Sequence, residues 1–170
     1  MTLIVIVMGV SGAGKSTVGA ALARALDAEF LDADEFHPPG NVAKMAAGTA
    51  LTDADRRPWL DRLNRELRAR EAERRSAVLA CSALKAAYRE RLLVGIERPC
   101  VVYLRGDIEF IRTRLQARQH KYMPASLLES QFAALEPPQD ALEIDTALGV
   151  EDAVARIMAE IAKQDPERRP

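Results

Sequence analysis

Five short apolar runs, separated by amphipathic segments, dominate the pattern of hydrophobic and polar positions along the chain. The runs cover residues 3–8, 29–32, 77–81, 100–105 and 142–145, and several are uninterrupted rather than alternating. Uninterrupted apolar strands are typical of a parallel sheet that helices cover on both faces. The pattern therefore predicts five parallel strands.

The segments between the runs carry apolar residues at helical spacing. Their predicted buried faces are Val18, Leu22, Ala25 and Leu26; Leu60, Leu63 and Leu67; Tyr88 and Leu92; Ile108, Ile111 and Leu115; and Val150, Val154, Ile157, Met158 and Ile161. Strands that alternate with helices over short connections indicate a doubly wound α/β fold in one domain, residues 1–170. In such folds the ligand crevice lies beyond the carboxyl ends of the strands.

Several polar residues and glycines predict where these helices begin and end. The segment "LTDADRRPW" is a start signal, and Asp107 is placed to cap the helix that begins with Ile108. Ser82 is expected to cap the helix after the third strand, and Gly95 to end it.

The segment "MGVSGAGKST" follows the first apolar run and has the spacing Gly9-x-x-x-x-Gly14-Lys15-Ser16 of a P-loop. Glycines let successive backbone N–H groups turn toward an anion, and the start of a helix adds its positive end. Lys15 can bridge the β- and γ-phosphates of a nucleotide, and the Ser16 hydroxyl can ligate Mg²⁺. The alternative, a chance glycine-rich turn, fits poorly with the strand before it and the helix after it.

Two aspartates lie at the carboxyl end of the second strand, in "FLDADEFHPPGN". If the backbone stays extended, Asp32 and Asp34 point to the same side of the strand. One carboxylate could then hold the hydration shell of Mg²⁺, and the other could accept a proton from an attacking hydroxyl. Alternatively, both are turn caps. His37 in the same loop is either structural or a hydrogen-bonding partner of a substrate.

Cations lie near two predicted helix starts, where they oppose the helix dipole. Lys85 and Arg89 are four residues apart after the third strand, and Arg56 and Arg57 form a second pair. An anionic ligand would justify this placement. The pattern therefore indicates that the molecule binds an acid.

A polar segment of about residues 116–135 follows Arg114 and contains Arg118, His120 and Lys121, with a break at Pro124. It is interpreted as a lid that closes over the triphosphate and excludes water. An ordinary solvated helix and loop is the alternative.

Charge and composition restrict the partners and the location that can be expected. Lys and Arg total 24 against 25 for Asp and Glu, so neither a nucleic-acid nor a membrane partner is expected. Cys81 and Cys100 both lie in apolar runs, which suits buried, reduced thiols. No apolar stretch approaches the roughly 20 residues that span a bilayer, and no signal peptide is evident. The expected location is the cytoplasm.

Four segments together resemble the small bacterial-type (thermoresistant) gluconokinase family. They are "GVSGAGKST", "FLDADEFHPPGNVAKMAAGTALTDADRRPWL", "LACSALKAAYRERL" and "VVYLRGD". The resemblance runs to about residue 135 and is closest in residues 29–64, a block that related small kinases do not share. The lid region is similar more loosely.

The resemblance implies a kinase that phosphorylates D-gluconate on its 6-hydroxyl with ATP and Mg²⁺. The implied fold is that of the nucleoside-monophosphate kinases, with strand order 2-3-1-4-5. Asp34 would orient and deprotonate the hydroxyl, and Asp32 would help Ser16 to hold Mg²⁺. Family members are often homodimers.

The remaining roles that the resemblance implies fall into two groups. A sugar-acid wall would consist of His37, Lys44, Met45, Asp55 and Arg56, with Lys85 and Arg89 near the carboxylate or the transferred phosphoryl group. ATP would contact Gly9, Ser11, Gly12, Ala13, Gly14, Lys15, Ser16, Thr17, Arg114 and Arg118, with adenine at "DTALG", residues 145–149.

Rival interpretations make different demands on the sequence. A shikimate kinase would carry a Gly-Gly-Gly turn after the third strand, where this chain has "CSAL". A nucleotide kinase would need a base pocket that residues 36–60 do not reveal. A nucleotide sensor without catalysis would usually lack either the second carboxylate or the lid cations, and both are present.

Overall fold

The computed structural model describes residues 2–117 and 125–164, and within them a five-stranded parallel sheet is flanked by helices. The elements in chain order are β1 Ile4–Met8, α1 Lys15–Ala25, β2 Glu29–Asp32, a 3₁₀ helix Ala33–Phe36, α2 Pro39–Ala46, α3 Asp53–Ala72, β3 Ala77–Ala80, α4 Ala86–Leu93, β4 Cys100–Arg105, α5 Ile108–Ala117, α6 Ala125–Ala134, β5 Leu142–Asp145 and α7 Val150–Gln164. All five predicted strands are present, with β1 and β3 each one residue shorter than predicted.

The strand order is β2-β3-β1-β4-β5, as the resemblance implied. In the register, Val7 of β1 pairs with Ala80 of β3 on one side and with Val102 of β4 on the other. The central position of β1 places the loop that follows it in the middle of the carboxyl edge. This is the topological switch point at which open α/β sheets bind ligands.

Side chains of β1 alternate between two cores, which explains its unbroken apolar run. Val5 and Val7 join one core, together with Leu22 of α1 and Ile157 of α7. The other three residues of the strand join the second core, which the side chains of α3 and α4 complete: Ile4, Ile6, Met8, Trp59, Leu60, Leu63, Leu67 and Leu92.

Three of the predicted helix ends are confirmed. Thr52 and Asp55 form a reciprocal capping box at the start of α3. The backbone N–H of Phe110 donates to Oδ1 of Asp107 over 2.8 Å, which caps α5. Gly95 follows α4 with a φ of 72°, the left-handed conformation that ends helices.

The predicted cap at Ser82 is wrong. The helix α4 begins at Ala86, with Lys85 as its N-cap, and Lys85 provides no side-chain cap. The N–H of Ala86 instead donates to Oε2 of Glu136 over 2.6 Å. A residue from beyond α6 thus satisfies this helix start.

The helix α6 packs against the body of the domain. Its Leu128 is 1% exposed and belongs to the same core as Val5 and Val7. This half of the predicted lid is therefore fixed to the core in this conformation, while Arg118, His120, Lys121 and Pro124 lie outside the described residues. No helix within the described ranges is long and apolar enough to cross a membrane.

Candidate active site

The phosphate loop, residues 9–17, connects β1 to α1 and needs glycine at specific positions. Gly14 is the N-cap of α1 in the left-handed conformation, with a φ of 96°. Gly12 has a φ of 83°, and a Cβ built there would lie 2.8 Å from Cγ of Leu115. Glycine thus lets the loop fold closely against α5, and it leaves the N-terminus of α1 open to an anion.

Lys15 lies at the base of this loop, where its Nζ donates to the carbonyl of Val10 over 3.0 Å. Burial lowers the pKa of Lys15, while Cys81, Asp34 and Asp32 act in the opposite direction. Burial also raises the pKa of the Cys81 thiol to about 12, so this thiol is neutral at physiological pH. Lys15 is thus a poorly solvated cation with both carboxylates of the β2 loop nearby.

Ser16 and Asp32 meet across the crevice. The Ser16 hydroxyl donates to Oδ2 of Asp32 over 2.9 Å. Two oxygen ligands side by side, next to a phosphate site, match what Mg²⁺ takes from a protein when phosphates and water complete its shell. Within the described residues no group of three or more His, Cys, Asp or Glu side chains could hold a metal by itself.

Asp34 does not follow an extended backbone, so this part of the prediction is wrong. The chain turns into the 3₁₀ helix directly after Asp32, because Oδ1 of Asp32 accepts from the N–H of Asp34 over 3.1 Å. Such turns are typical of aspartate. Asp32 is therefore both a cap and the partner of Ser16, while the exposed Asp34 lies on the first turn of the 3₁₀ helix.

The sugar-acid wall is held by internal bonds. Nζ of Lys44 lies 2.7 Å from Oδ1 of Asp55, and Asp55 also closes the capping box of α3. The Lys44 ammonium, followed by the Thr52 amide, lowers the pKa of Asp55 to about 2. Arg56 donates to the carbonyl of Leu51, and Met45 is 44% exposed.

His37 packs face to face on Trp59, with ring centroids 4.2 Å apart and planes inclined by 15°. Trp59 in turn donates from Nε1 to the carbonyl of Ala33 over 2.8 Å. This bond ties α3 to the 3₁₀ helix that carries Asp34. Neither Trp59 nor Ala33 was singled out from the sequence, where a tryptophan at helical spacing is typical of a core position.

Lys85 has an ion-pair partner within the chain. An anionic ligand is therefore not needed to explain a cation at this helix start. Nζ of Lys85 donates to Oδ1 of Asp53 over 3.1 Å, and Tyr88 donates to the same carboxylate. The guanidinium of Arg56 lies 5.6 Å from the Tyr88 ring centroid. Two cations, Arg56 and Lys85, therefore lie near the ring of one tyrosine.

The guanidinium of Arg89 is held by hydrogen bonds to the backbone. Its Nη1 donates to the carbonyls of Ala83 and Leu84 over 2.9 and 3.0 Å, and Nη2 donates to the carbonyl of Glu136 over 2.9 Å. These bonds join the β3–α4 loop to the segment after α6. A role of Arg89 toward the substrate stays a prediction.

Arg114 and Gln131 approach the phosphate loop from α5 and α6. Nη1 of Arg114 lies 3.4 Å from the carbonyl of Ala13. The Gln131 side chain accepts from the N–H of Ser11 over 2.7 Å and donates to the Ser11 hydroxyl over 2.9 Å. No role was assigned to Gln131 from the sequence, because its partner lies 120 positions away.

The segment "DTALG" follows β5 beside the phosphate loop. A cleft there is lined by Gly14, Thr17, Arg114 and Thr146, among others. The Thr146 hydroxyl is buried and lacks a hydrogen-bond partner among the described residues. A buried hydroxyl without a partner is uncommon in a folded protein.

Three comparisons show proteins with a similar sequence and fold. A family model described as "AAA domain" matches residues 4–138. The thermoresistant gluconokinase of Escherichia coli (strain K12) is 40% identical over 164 residues, which are 94% of this chain and 94% of that protein. The gluconokinase of Gluconobacter oxydans (strain 621H) is 48% identical over 136 residues, which are 79% of this chain and 76% of that one. A crystal structure of a gluconokinase from Sinorhizobium meliloti 1021 superposes with a TM-score of 0.83 and 36% identity, covering 96% of this chain and 97% of that one.

Proposed function

The chain belongs to the gluconokinase family, and we infer from this that it transfers the γ-phosphoryl group of ATP to the 6-hydroxyl of D-gluconate. The products are 6-phosphogluconate and ADP. The observation of the structure that carries the proposal is the hydrogen bond from Ser16 of the phosphate loop to Oδ2 of Asp32, whose Oδ1 accepts from the N–H of Asp34. The phosphate loop and the carboxylate that would accept the hydroxyl proton thus lie in one crevice.

The nucleotide would lie on the phosphate loop with its triphosphate at the N-terminus of α1. Lys15 would exchange its bond to the Val10 carbonyl for the β- and γ-phosphates. Arg114, above Ala13, would neutralise further charge, and Arg118 is assigned the same task by the family resemblance alone. Adenine would lie beside residues 145–149, the first three of which line a cavity of about 420 Å³.

Mg²⁺ fits the donor set of Ser16 and Asp32, which supplies a hydroxyl and a carboxylate oxygen. When bound, the ion would neutralise charge on the β- and γ-phosphate oxygens. The residues of this chain would hold the ion beside the phosphate loop, so that substrate oxygens and water complete its shell.

Asp34 would accept the proton of the 6-hydroxyl as that oxygen attacks the γ-phosphorus. The new O6–P bond forms while the bond from phosphorus to the β–γ bridging oxygen breaks, and ADP leaves with that oxygen. Positioning and charge stabilisation supply most of the catalysis in such transfers. The sugar-acid wall would position the polyol chain, and Lys85 would attract its carboxylate.

A coupled assay of ADP release tests the reaction, with Mg-ATP against D-gluconate, shikimate, glycerate and a panel of nucleoside monophosphates. We expect turnover with gluconate only, and 6-phosphogluconate as the product. Turnover with another acceptor would support the assignment of the phosphate loop and refute that of the sugar-acid wall. ATP binding without turnover for any acceptor would identify a sensor.

We also propose that the enzyme works in the cytoplasm as a homodimer without a nucleic-acid partner. The family resemblance supports the dimer, and the balance of 24 basic against 25 acidic residues supports the absence of a polyanionic partner. Sedimentation equilibrium tests the dimer: a mass near 18.7 kDa at micromolar concentration would indicate a monomer instead.

A further inference from the structure

Asn41 of α2 is a buried polar residue that joins two parts of the sugar-acid wall. It is 5% exposed. Its Nδ2 lies 3.0 Å from the backbone carbonyl oxygen of Asp55 and 3.3 Å from Nδ1 of His37. A single amide nitrogen therefore bridges the start of α3 and the imidazole ring.

The two partners of this nitrogen determine where the protons lie. A backbone carbonyl oxygen can only accept, so the Asn41 atom that faces Asp55 must be the NH₂ group. The same NH₂ group faces Nδ1 of His37, and an amide nitrogen of this kind has no acceptor capacity. Nδ1 must therefore carry the lone pair, and the proton of the neutral ring resides on Nε2.

The surroundings of the ring favour its neutral form. An imidazolium would present an N–H group at Nδ1 directly to the NH₂ group of Asn41. Burial lowers the pKa of His37, the Asp34 carboxylate raises it by less, and the Arg56 guanidinium lowers it further. The stacked Trp59 ring holds the plane of the imidazole.

Nε2 is consequently the only polar ring atom that remains for a ligand. Within residues 2–117 and 125–164, no group accepts a hydrogen bond from it. Trp59 links the ring to the carbonyl of Ala33, the residue before Asp34. The donor on Nε2 and the carboxylate of Asp34 are thus held on one connected unit.

We propose that Asn41 is a positioning residue that fixes His37 as the neutral Nε2–H tautomer, so that His37 donates one hydrogen bond to a hydroxyl oxygen of the sugar acid. His37 is then neither the base of the reaction nor a cation for the substrate carboxylate. This inference rests on the proposed function for the identity of the acceptor. The tautomer itself follows from Asn41 and Asp55 alone.

The direct test is the tautomer in the wild-type protein, by two-bond ¹H–¹⁵N correlation of the imidazole rings at pH 7.5. The chain has two histidines, so the signals that disappear in His37→Gln identify the ring. We expect an unprotonated Nδ1 and a protonated Nε2, with the Nε2–H signal shifted when gluconate is added. A protonated Nδ1, in a neutral or a charged ring, overturns the proposal whatever the activity.

Asn41→Asp tests the consequence for catalysis. A carboxylate at this position only accepts, so it should draw the proton of a neutral ring to Nδ1. Because a carboxylate also favours the imidazolium, the kinetics are measured at a pH at which the same NMR experiment shows a neutral ring. We expect kcat/KM for gluconate to fall roughly tenfold, the effect of one lost hydrogen bond to a substrate, with the KM for ATP unchanged. Wild-type gluconate kinetics with a switched tautomer would overturn the proposal, and so would an unswitched tautomer.

Asn64→Asp is the matched control. Asn64 is also buried, and its Nδ2 donates to two backbone carbonyls rather than to a histidine: those of Leu92 and Val94, over 2.8 and 2.9 Å. It should lose stability as Asn41→Asp does, but keep the tautomer and kcat/KM for gluconate. If Asn41→Asp fails to fold, the wild-type spectrum tests the tautomer, and the gluconate kinetics of Asn41→Ala test its consequence for catalysis. A correct tautomer in a protein that does not phosphorylate gluconate would refute the proposed function alone.

Discussion

The two sides of the crevice differ in how they are built. The phosphate loop comes from one short segment, residues 9–17. It offers backbone N–H groups and Lys15, whose Nζ donates to the carbonyl of Val10. The sugar-acid wall draws on the β2 loop, α2 and α3, and its charged groups are already paired, as in Lys44 with Asp55. A ligand on the first side takes the Lys15 ammonium from a backbone carbonyl, whereas a ligand that binds Lys44 or Lys85 on the second side must exchange partners with an existing ion pair. Substitutions should therefore act on turnover at the phosphate loop and largely on acceptor affinity or stability at the wall.

Lys15→Ala should have the largest effect. Removing a cation that is aimed at the transferred phosphoryl group is expected to lower kcat roughly 10³-fold. Thermal stability should stay near that of the wild type, because the Lys15 ammonium is poorly solvated in the folded chain. Steady-state kinetics and circular dichroism measure the two quantities.

Arg24→Ala is the control for this variant, since Arg24 is an exposed cation in the last turn of the same helix. It should retain the kcat of the wild type. A Lys15→Ala protein with wild-type turnover would refute the assignment of the phosphate loop.

Asp34→Asn should come second, with kcat lower by roughly 10²-fold and little change in the affinity for ATP. The amide keeps the size of the side chain but cannot accept the hydroxyl proton. Glu35→Gln, one residue further along the same 3₁₀ helix, removes an exposed charge without that role and should leave kcat unchanged. Equal kinetics for the two variants would exclude Asp34 as the base.

The same contrast explains what the sequence could and could not predict. Buried parallel strands are uninterrupted apolar runs, so all five strands were located to within a residue. The phosphate loop was located by its glycine spacing, which is local. The family resemblance, rather than any local pattern, assigned Ser16 and Asp32 to one Mg²⁺ ion, and in the structure the two side chains are hydrogen-bonded.

The contacts that the sequence did not predict are long-range bonds between side chains and the backbone. Glu136 caps α4 from 50 positions away, which displaced Ser82 from that role. Gln131 reaches Ser11 over 120 positions. Asp34 was misplaced for a local reason: Asp32 accepted its N–H and turned the chain, so alternation along an extended strand no longer applied. Such bonds leave no periodic signal in the chain.

Two further variants, Lys85→Met and Arg89→Met, distinguish a contact to the substrate from a contribution to stability. Lys85→Met should raise the KM for gluconate roughly tenfold without changing the melting temperature, since its ion pair with Asp53 is solvent-exposed. Arg89→Met should instead lower the stability by about 2 kcal/mol, because three backbone carbonyls lose a charged donor. Its KM for gluconate should stay close to that of the wild type.

Isothermal titration and denaturant unfolding separate these two outcomes. A stable Arg89→Met protein that has lost gluconate affinity would return Arg89 to the sugar-acid wall, as the family resemblance implies. A Lys85→Met protein with unchanged affinity would leave Lys85 as a partner of Asp53 only.

The smallest effect should come from Asp55→Asn, and it should depend on pH. The Lys44 ammonium and the Thr52 amide lower the pKa of Asp55 from 3.8 to about 2 in the folded chain. A carboxyl with a depressed pKa stabilises the fold fully above its unfolded value, and this contribution disappears as the pH falls through the folded value. The melting temperatures of wild type and Asp55→Asn should therefore differ between pH 5 and 7 and converge from about pH 4 to pH 2. Lys44→Met should remove most of that dependence, because Lys44 is its largest cause. A difference that persists unchanged at pH 2 would show that the capping box, rather than the ion pair with Lys44, sets the acid stability of this wall.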